Sequence, residues 1–230
     1  MEINTIIVGL ILAFFCACFV TEFLRAFYHK KFKKALILKG LASSCFIAFG
    51  AYNFFSRDFS FPTLVMLLGL CLGIIGDEII ALCQIYPNHD KQHFLGGGAF
   101  FIFGHILYMI ALFMLSEVNV LAIVISFLLM VLLCVIYEKR KNFFVGELKN
   151  SLKLYIGVVI FVTALGIGDF IQQKTVGLAL FAIGGALFTI SDNILFAFKF
   201  GNRPRYRQNV ILHIAYYLAQ FVIAWSIAYV

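Results

Sequence analysis

Apolar stretches of about 20 residues, each long enough to cross a hydrocarbon core of roughly 30 Å as a helix, recur along almost the whole chain. Eight are predicted, over residues 4–24, 35–55, 63–86, 93–115, 118–137, 152–170, 176–199 and 208–229. With 63% hydrophobic and only 13% charged residues among 230, and a mean hydropathy of +1.01, the chain lacks the polar surface that a water-soluble domain needs. Lipid is its solvent. No Ser-rich, acidic or low-complexity linker divides it, so residues 1–230 read as a single transmembrane domain. The first stretch lacks a basic start and a small-residue cleavage site, and is read as a helix rather than a signal peptide.

The charges give an independent reading of the topology, because short cytoplasmic loops collect Lys and Arg. Of the 18 Lys and Arg, all but Arg57 and Lys174 fall in alternate connections: Arg25 to Lys39, Lys91, Lys139 to Lys153, and Lys199 to Arg207. An even number of helices with both termini outside the cytoplasm follows. The net charge of +7 is accounted for by basic loops against anionic lipid heads and calls for no nucleic-acid partner. Cys16, Cys18, Cys45, Cys71, Cys83 and Cys134 lie in apolar stretches without metal-ligand spacing, and read as reduced packing residues.

Ionisable side chains inside a span cost about 2.5 to 3.5 kcal/mol each on insertion scales, so each one is a candidate for function. Asp77 and Glu78 lie deep in the third stretch and Asp192 deep in the seventh. Glu22 and Lys39 stand nearer the ends of the first two, where snorkelling to water is an equal alternative. His105 and Tyr108 are in mid-helix, and His213, Tyr216, Tyr217 and Gln220 share one stripe of the eighth. The alternating topology puts Asp77 and Asp192 at matched depth in the cytoplasmic half, with Lys39, Glu22, His213 and Tyr217 in the same half. A polar cavity open to the cytoplasm is expected there. Gly69, Gly73, Gly76, Gly184 and Gly185 allow the helices to approach closely. An echo between His105-Ile-Leu-Tyr108 and His213-Ile-Ala-Tyr216 suggests two parallel four-helix repeats.

The blocks from Gly69 to Asp77, Gly97 to Tyr108, Gly184 to Asp192 and Tyr216 to Gln220, with a Lys at the start of the second helix, resemble the YhhN-like lysoplasmalogenases, a family of eight-helix membrane hydrolases. The family often has Lys-Pro in helix 2, whereas Lys39 is followed by Gly40. The resemblance implies a lysophospholipid substrate whose vinyl ether is hydrolysed to a fatty aldehyde and a glycerophospho head group, without cofactor or metal. It implies Asp77 and Asp192 as the functional pair, with Lys39, His105, Tyr108, Tyr217 and Gln220 as companions. Glu78, Ser191 and Asn193 adjoin the two aspartates and are added as binding or orienting residues. Two nearby carboxylates suit this chemistry: a neutral one protonates the vinyl carbon, and an ionised one stabilises the oxocarbenium ion and takes a proton from water. The sequence does not say which aspartate does which. Lys39, Arg203 or Arg205 would meet the lipid phosphate. A bacterial cytoplasmic membrane is the expected location, and the oligomeric state is unreadable. The rival readings are a proton-coupled transporter and a metal-dependent lipid hydrolase in which His105 and His213 join the aspartates.

Overall fold

A computed structural model describes residues 2–117, 120–139, 148–200 and 206–230. It contains eight α-helices: α1 Glu2–Tyr28, α2 Phe32–Phe55, α3 Phe61–Ala81, α4 Asp90–Leu115, α5 Val120–Lys139, α6 Lys149–Gln173, α7 Val176–Phe200 and α8 Tyr206–Ser226. Helix is the spanning form open to such apolar runs, since each satisfies its own backbone groups without water. Seven of the eight are long and apolar enough to cross a membrane. The exception is α5, apolar over Val120–Ile136. The chain is an integral, multi-pass all-α membrane bundle.

The connections are short. Lys30 (φ 57°) and Lys174 (φ 53°) take the left-handed conformation that lets a helix end and the chain reverse. Lys174 N–H donates to Phe170 O at 2.8 Å, closing α6 two residues before α7 begins. Pro62 stands in the first turn of α3, where its missing N–H costs nothing, and Pro87 opens a short 3-10 turn before α4. Pro204 lies outside the described residues.

Helices α2, α3, α4, α6, α7 and α8 pack in a closed ring, α8 returning to α2, while α1 lies against α2 and α8 and α5 against α6. The outer faces of α1 and α5 are accordingly apolar and exposed, with Leu10, Phe14, Leu121 and Phe127 turned to the lipid. Tight approaches between neighbours depend on glycine. A Cβ on Gly97 would stand 2.6 Å from Gly76 O, and one on Gly184 would stand 3.1 Å from Ala219 O.

The main packing pairs repeat after four helices: α1 with α2 and α5 with α6, α3 with α4 and α7 with α8, α4 with α6 and α8 with α2. A single shift of half the chain length carries Asp77 onto Asp192 and Gly69 onto Gly184. It also carries Gly104, which approaches Gly69 O, onto Ala219, which approaches Gly184. The same shift carries the close approach of Gly76 to Gly97 onto Ser191 and Leu212, where Ser191 Oγ donates to Leu212 O at 3.1 Å. This register corrects the sequence echo. It places Gln220, not His213, opposite His105, so the similarity between the two His-containing segments is two helical turns out of step with the packing.

Candidate functional site

Asp77 on α3 and Asp192 on α7 line one cavity, about 920 Å³ including its open mouth, whose wall is shared by α1, α2, α3, α4, α7 and α8. Both aspartates are buried, at 7% and 6% exposure. Helical geometry explains the placement: each follows a run of small and apolar residues that packs its helix into the ring, and each carboxylate then faces inward.

The partners of the two differ. Lys39, one-third of the way along α2, reaches across to α3 and is buried with Asp77. Its Nζ lies 2.7 Å from Asp77 Oδ1 and donates to Asp77 O at 2.9 Å. One turn further along α2, Ser43 Oγ donates to Asp77 Oδ2 at 3.3 Å and lies 3.4 Å from the Tyr217 hydroxyl. Tyr217 donates in turn to Lys39 O at 3.3 Å, so α2, α3 and α8 are laced around one ion pair. Among the described residues no cation is paired with Asp192. The Tyr155 hydroxyl, from the buried face of α6, donates to its Oδ2 at 2.7 Å. Under the half-chain shift Tyr155 falls one position from Lys39. The fold thus has two related carboxylates, one held by an ammonium and the other by a phenol.

The remaining expected residues divide by position. Ser191 lines the cavity, and Tyr217 stands behind it through Ser43. Gln220 is buried where α8 meets α3, its Nε2 beside Gly73. His105 and Tyr108 lie in an aromatic layer with Phe188 and Phe181. His105 Nδ1 is paired with Phe101 O at 2.8 Å. Asn193 donates to Thr189 O within its own helix at 2.7 Å. Glu78, one residue past Asp77 and therefore turned about 100° round the helix, faces α2 at Gly40 rather than the cavity. Glu22 also stays outside, paired with Arg25 at the surface of α1, so its expected place among the cavity residues is corrected. Lys39 is 5% exposed, which replaces snorkelling with burial. Its Nζ is engaged by Asp77. Arg203 and Arg205 lie outside the described residues.

Sequence reasoning missed Tyr155, Ser43 and Lys199. A Tyr in an apolar helix is unremarked without the helix-level repeat that relates it to Lys39. Ser43 signals itself only as the i+4 neighbour of Lys39. Lys199, at the end of α7, lines the cavity and pairs with Asp90 at the start of α4. Tyr216 also lines the cavity, with its hydroxyl buried and unpaired among the described residues. All six cysteines are free. No group of three or more His, Cys, Asp and Glu among the described residues is arranged to hold a metal ion.

Fold and cavity together define a polytopic helical membrane protein with a charged pocket sunk among its spans. The sequence profile of the YhhN family matches residues 34–227, from the start of α2 to the end of α8, and the chain belongs to that family. Neither the curated proteins nor the solved structures gave a match.

Proposed function

We propose that this protein is a membrane hydrolase that cleaves the vinyl ether of lysoplasmalogens to a fatty aldehyde and a glycerophosphocholine or glycerophosphoethanolamine. The observation that carries this reading is the unequal pair of carboxylates on one cavity: Asp77 with the Lys39 ammonium, Asp192 with a neutral phenol. Vinyl ether hydrolysis needs a proton donor and a carboxylate together. Asp77, matched by a cation, serves as the carboxylate. Asp192, hydrogen-bonded by the neutral Tyr155 phenol, serves as the acid.

The steps balance without a cofactor. Asp192 transfers its proton to the vinyl carbon distal to oxygen, and the C=C electron pair forms that C–H bond, leaving an oxocarbenium ion. Asp77 stabilises the cation and accepts a proton as water adds to the carbon next to oxygen. The hemiacetal hydroxyl then gives its proton to Asp192 as the carbonyl forms and the bond to the glycerol oxygen breaks, and that oxygen takes the proton held by Asp77, so both carboxyls return to their starting states. The two roles are those of glycosidase carboxyl pairs, here by analogy. The cavity mouth carries Lys199, a cation for the lipid phosphate. The working location is a bacterial cytoplasmic membrane, with the mouth on the cytoplasmic side.

Purified protein incubated with an alkenyl lysophospholipid is expected to release aldehyde, and to release none from the saturated-ether or acyl analogues. Asp77→Asn and Asp192→Asn each lower kcat by about 10² to 10⁴, the usual contribution of a positioned acid or base. Wild-type rates in both variants, or no aldehyde from the wild type, reject the proposal.

A further inference from the structure

A second cavity, about 690 Å³ with its open side, lies between α4 and α6. Its rim is formed by Ala99 on α4 and Ser151 and Leu154 on α6, all exposed on the outer face of the ring where lipid lies. Its floor is buried and apolar, made by Phe94, Leu152, Phe196 and the ring of Tyr155. Ile80, Phe94 and Leu195 belong to this cavity and to the aspartate cavity alike, so the two meet at these side chains. Tyr155 has its ring in one cavity and holds Asp192, on the wall of the other, through its hydroxyl.

An apolar cleft open sideways to a bilayer fills with hydrocarbon, since nothing in it competes for water. We propose that the α4 and α6 cleft is the subsite for the single hydrocarbon chain of the lipid substrate, which enters laterally from the membrane. This rests on the hydrolase reading for the identity of that lipid. A chain lying here, with its head group in the aspartate cavity, has the first bonds of the chain at Ile80, Phe94 and Leu195, beside Asp192. The seam related by the repeat, between α2 and α8, is closed by Ser43 to Tyr217 (3.4 Å) and by Asn53 Nδ2 donating to Ala224 O (2.9 Å), and α1 packs beside it. One open seam and one sealed seam select lipids with one chain.

The test uses saturated-ether lysophospholipids, which bind without being cleaved, so its outcome is independent of aldehyde release. The full chain in nanodiscs is photolabelled with an alkyl lysophospholipid carrying a diazirine at the chain end, and the label is mapped by mass spectrometry. Saturable labelling on α4 and α6, at residues such as Ile102 and Leu154, is expected. Hexadecyl lysophosphocholine competes at least tenfold better than the octyl form in the wild type, and Ala99→Phe or Ser151→Phe removes that preference while leaving octyl competition unchanged. Both positions are exposed, so the bulk adds no strain to the ring. Labelling on α1, α2 or α8 instead, no saturable labelling, or an unchanged chain-length preference in both variants overturns the proposal.

Discussion

Lys39 and Asp77 are two charges taken out of water together. Desolvation costs several kcal/mol for each, and the 2.7 Å contact with the added bonds to Asp77 O and Ser43 returns much of that. Removing one partner is therefore far worse than removing both. Lys39→Met leaves a lone buried carboxylate and is expected to cost about 3 to 5 kcal/mol. The double variant Lys39→Met with Asp77→Asn is expected to recover part of that loss. Thermal unfolding of the four proteins in one detergent decides it, and strictly additive losses contradict the coupling. At Asp192 the neutral Tyr155 partner makes no comparable demand, which is the residue-level origin of the asymmetry between the aspartates.

Helix pairs depend on a few small residues. A side chain at Gly97 meets both Ile80 Cγ1 at 2.5 Å and the Gly76 carbonyl at 2.6 Å, and the carbonyl cannot rotate away. At Gly96, next in the same helix, the nearest atom to an added Cβ is Ile79 Cγ2 at 3.6 Å. Gly97→Val is expected to destabilise by about 1 to 3 kcal/mol through overpacking, and Gly96→Ala to be neutral or slightly stabilising. Equal unfolding midpoints for the two would contradict the close α3 and α4 contact. The ends of α5 and α6 are joined differently, by Glu138 to Lys153 at 2.7 Å and Lys149 at 3.0 Å. Hydrogen bonds from these ammonium groups hold the Glu138 carboxyl below its usual range. A depressed folded value contributes stability above the ordinary carboxylate range, and that contribution is lost as pH falls through the folded value. Glu138 is exposed, so salt weakens the effect. Wild type is expected to melt slightly above Glu138→Gln at neutral pH and low salt, with the gap closing in acid or high salt. A gap that widens in acid contradicts the assignment.

For the whole molecule, an even number of helices with basic loops at alternate connections, all on one face, predicts that both termini lie on the opposite face. Single cysteines at Lys33 and Lys91 on a cysteine-free background are expected to react with an impermeant maleimide only when the cytoplasmic face is opened. A cysteine at Arg57 is expected to react from the outside. Labelling of all three from one side excludes the topology. The ring also explains how the site is built: α3 and α7 stand at equivalent places in the four-helix repeat, so one packing solution delivers both carboxylates to a common cavity.

The sequence by itself determined the membrane class and the eight helices, because bilayer thickness sets a repeat length, and it singled out the two aspartates that the structure buries on one cavity, because a charge inside a span is costly. The free cysteines were also legible, as were glycines that permit close approach, though not which helix each of them meets. Only the tertiary structure decided the partners. Whether Lys39 snorkels or pairs with Asp77 depends on a neighbour 38 residues away, and Tyr155 reaches Asp192 across 37. The letters carry no sign of either. Glu78 and Asp77 are adjacent in sequence yet face different helices, since the rotation per residue that separates them is read only against a packed neighbour. Composition and periodicity fix what a helix is made of and how far it reaches. Which faces meet is set by the packing of one helix against the next.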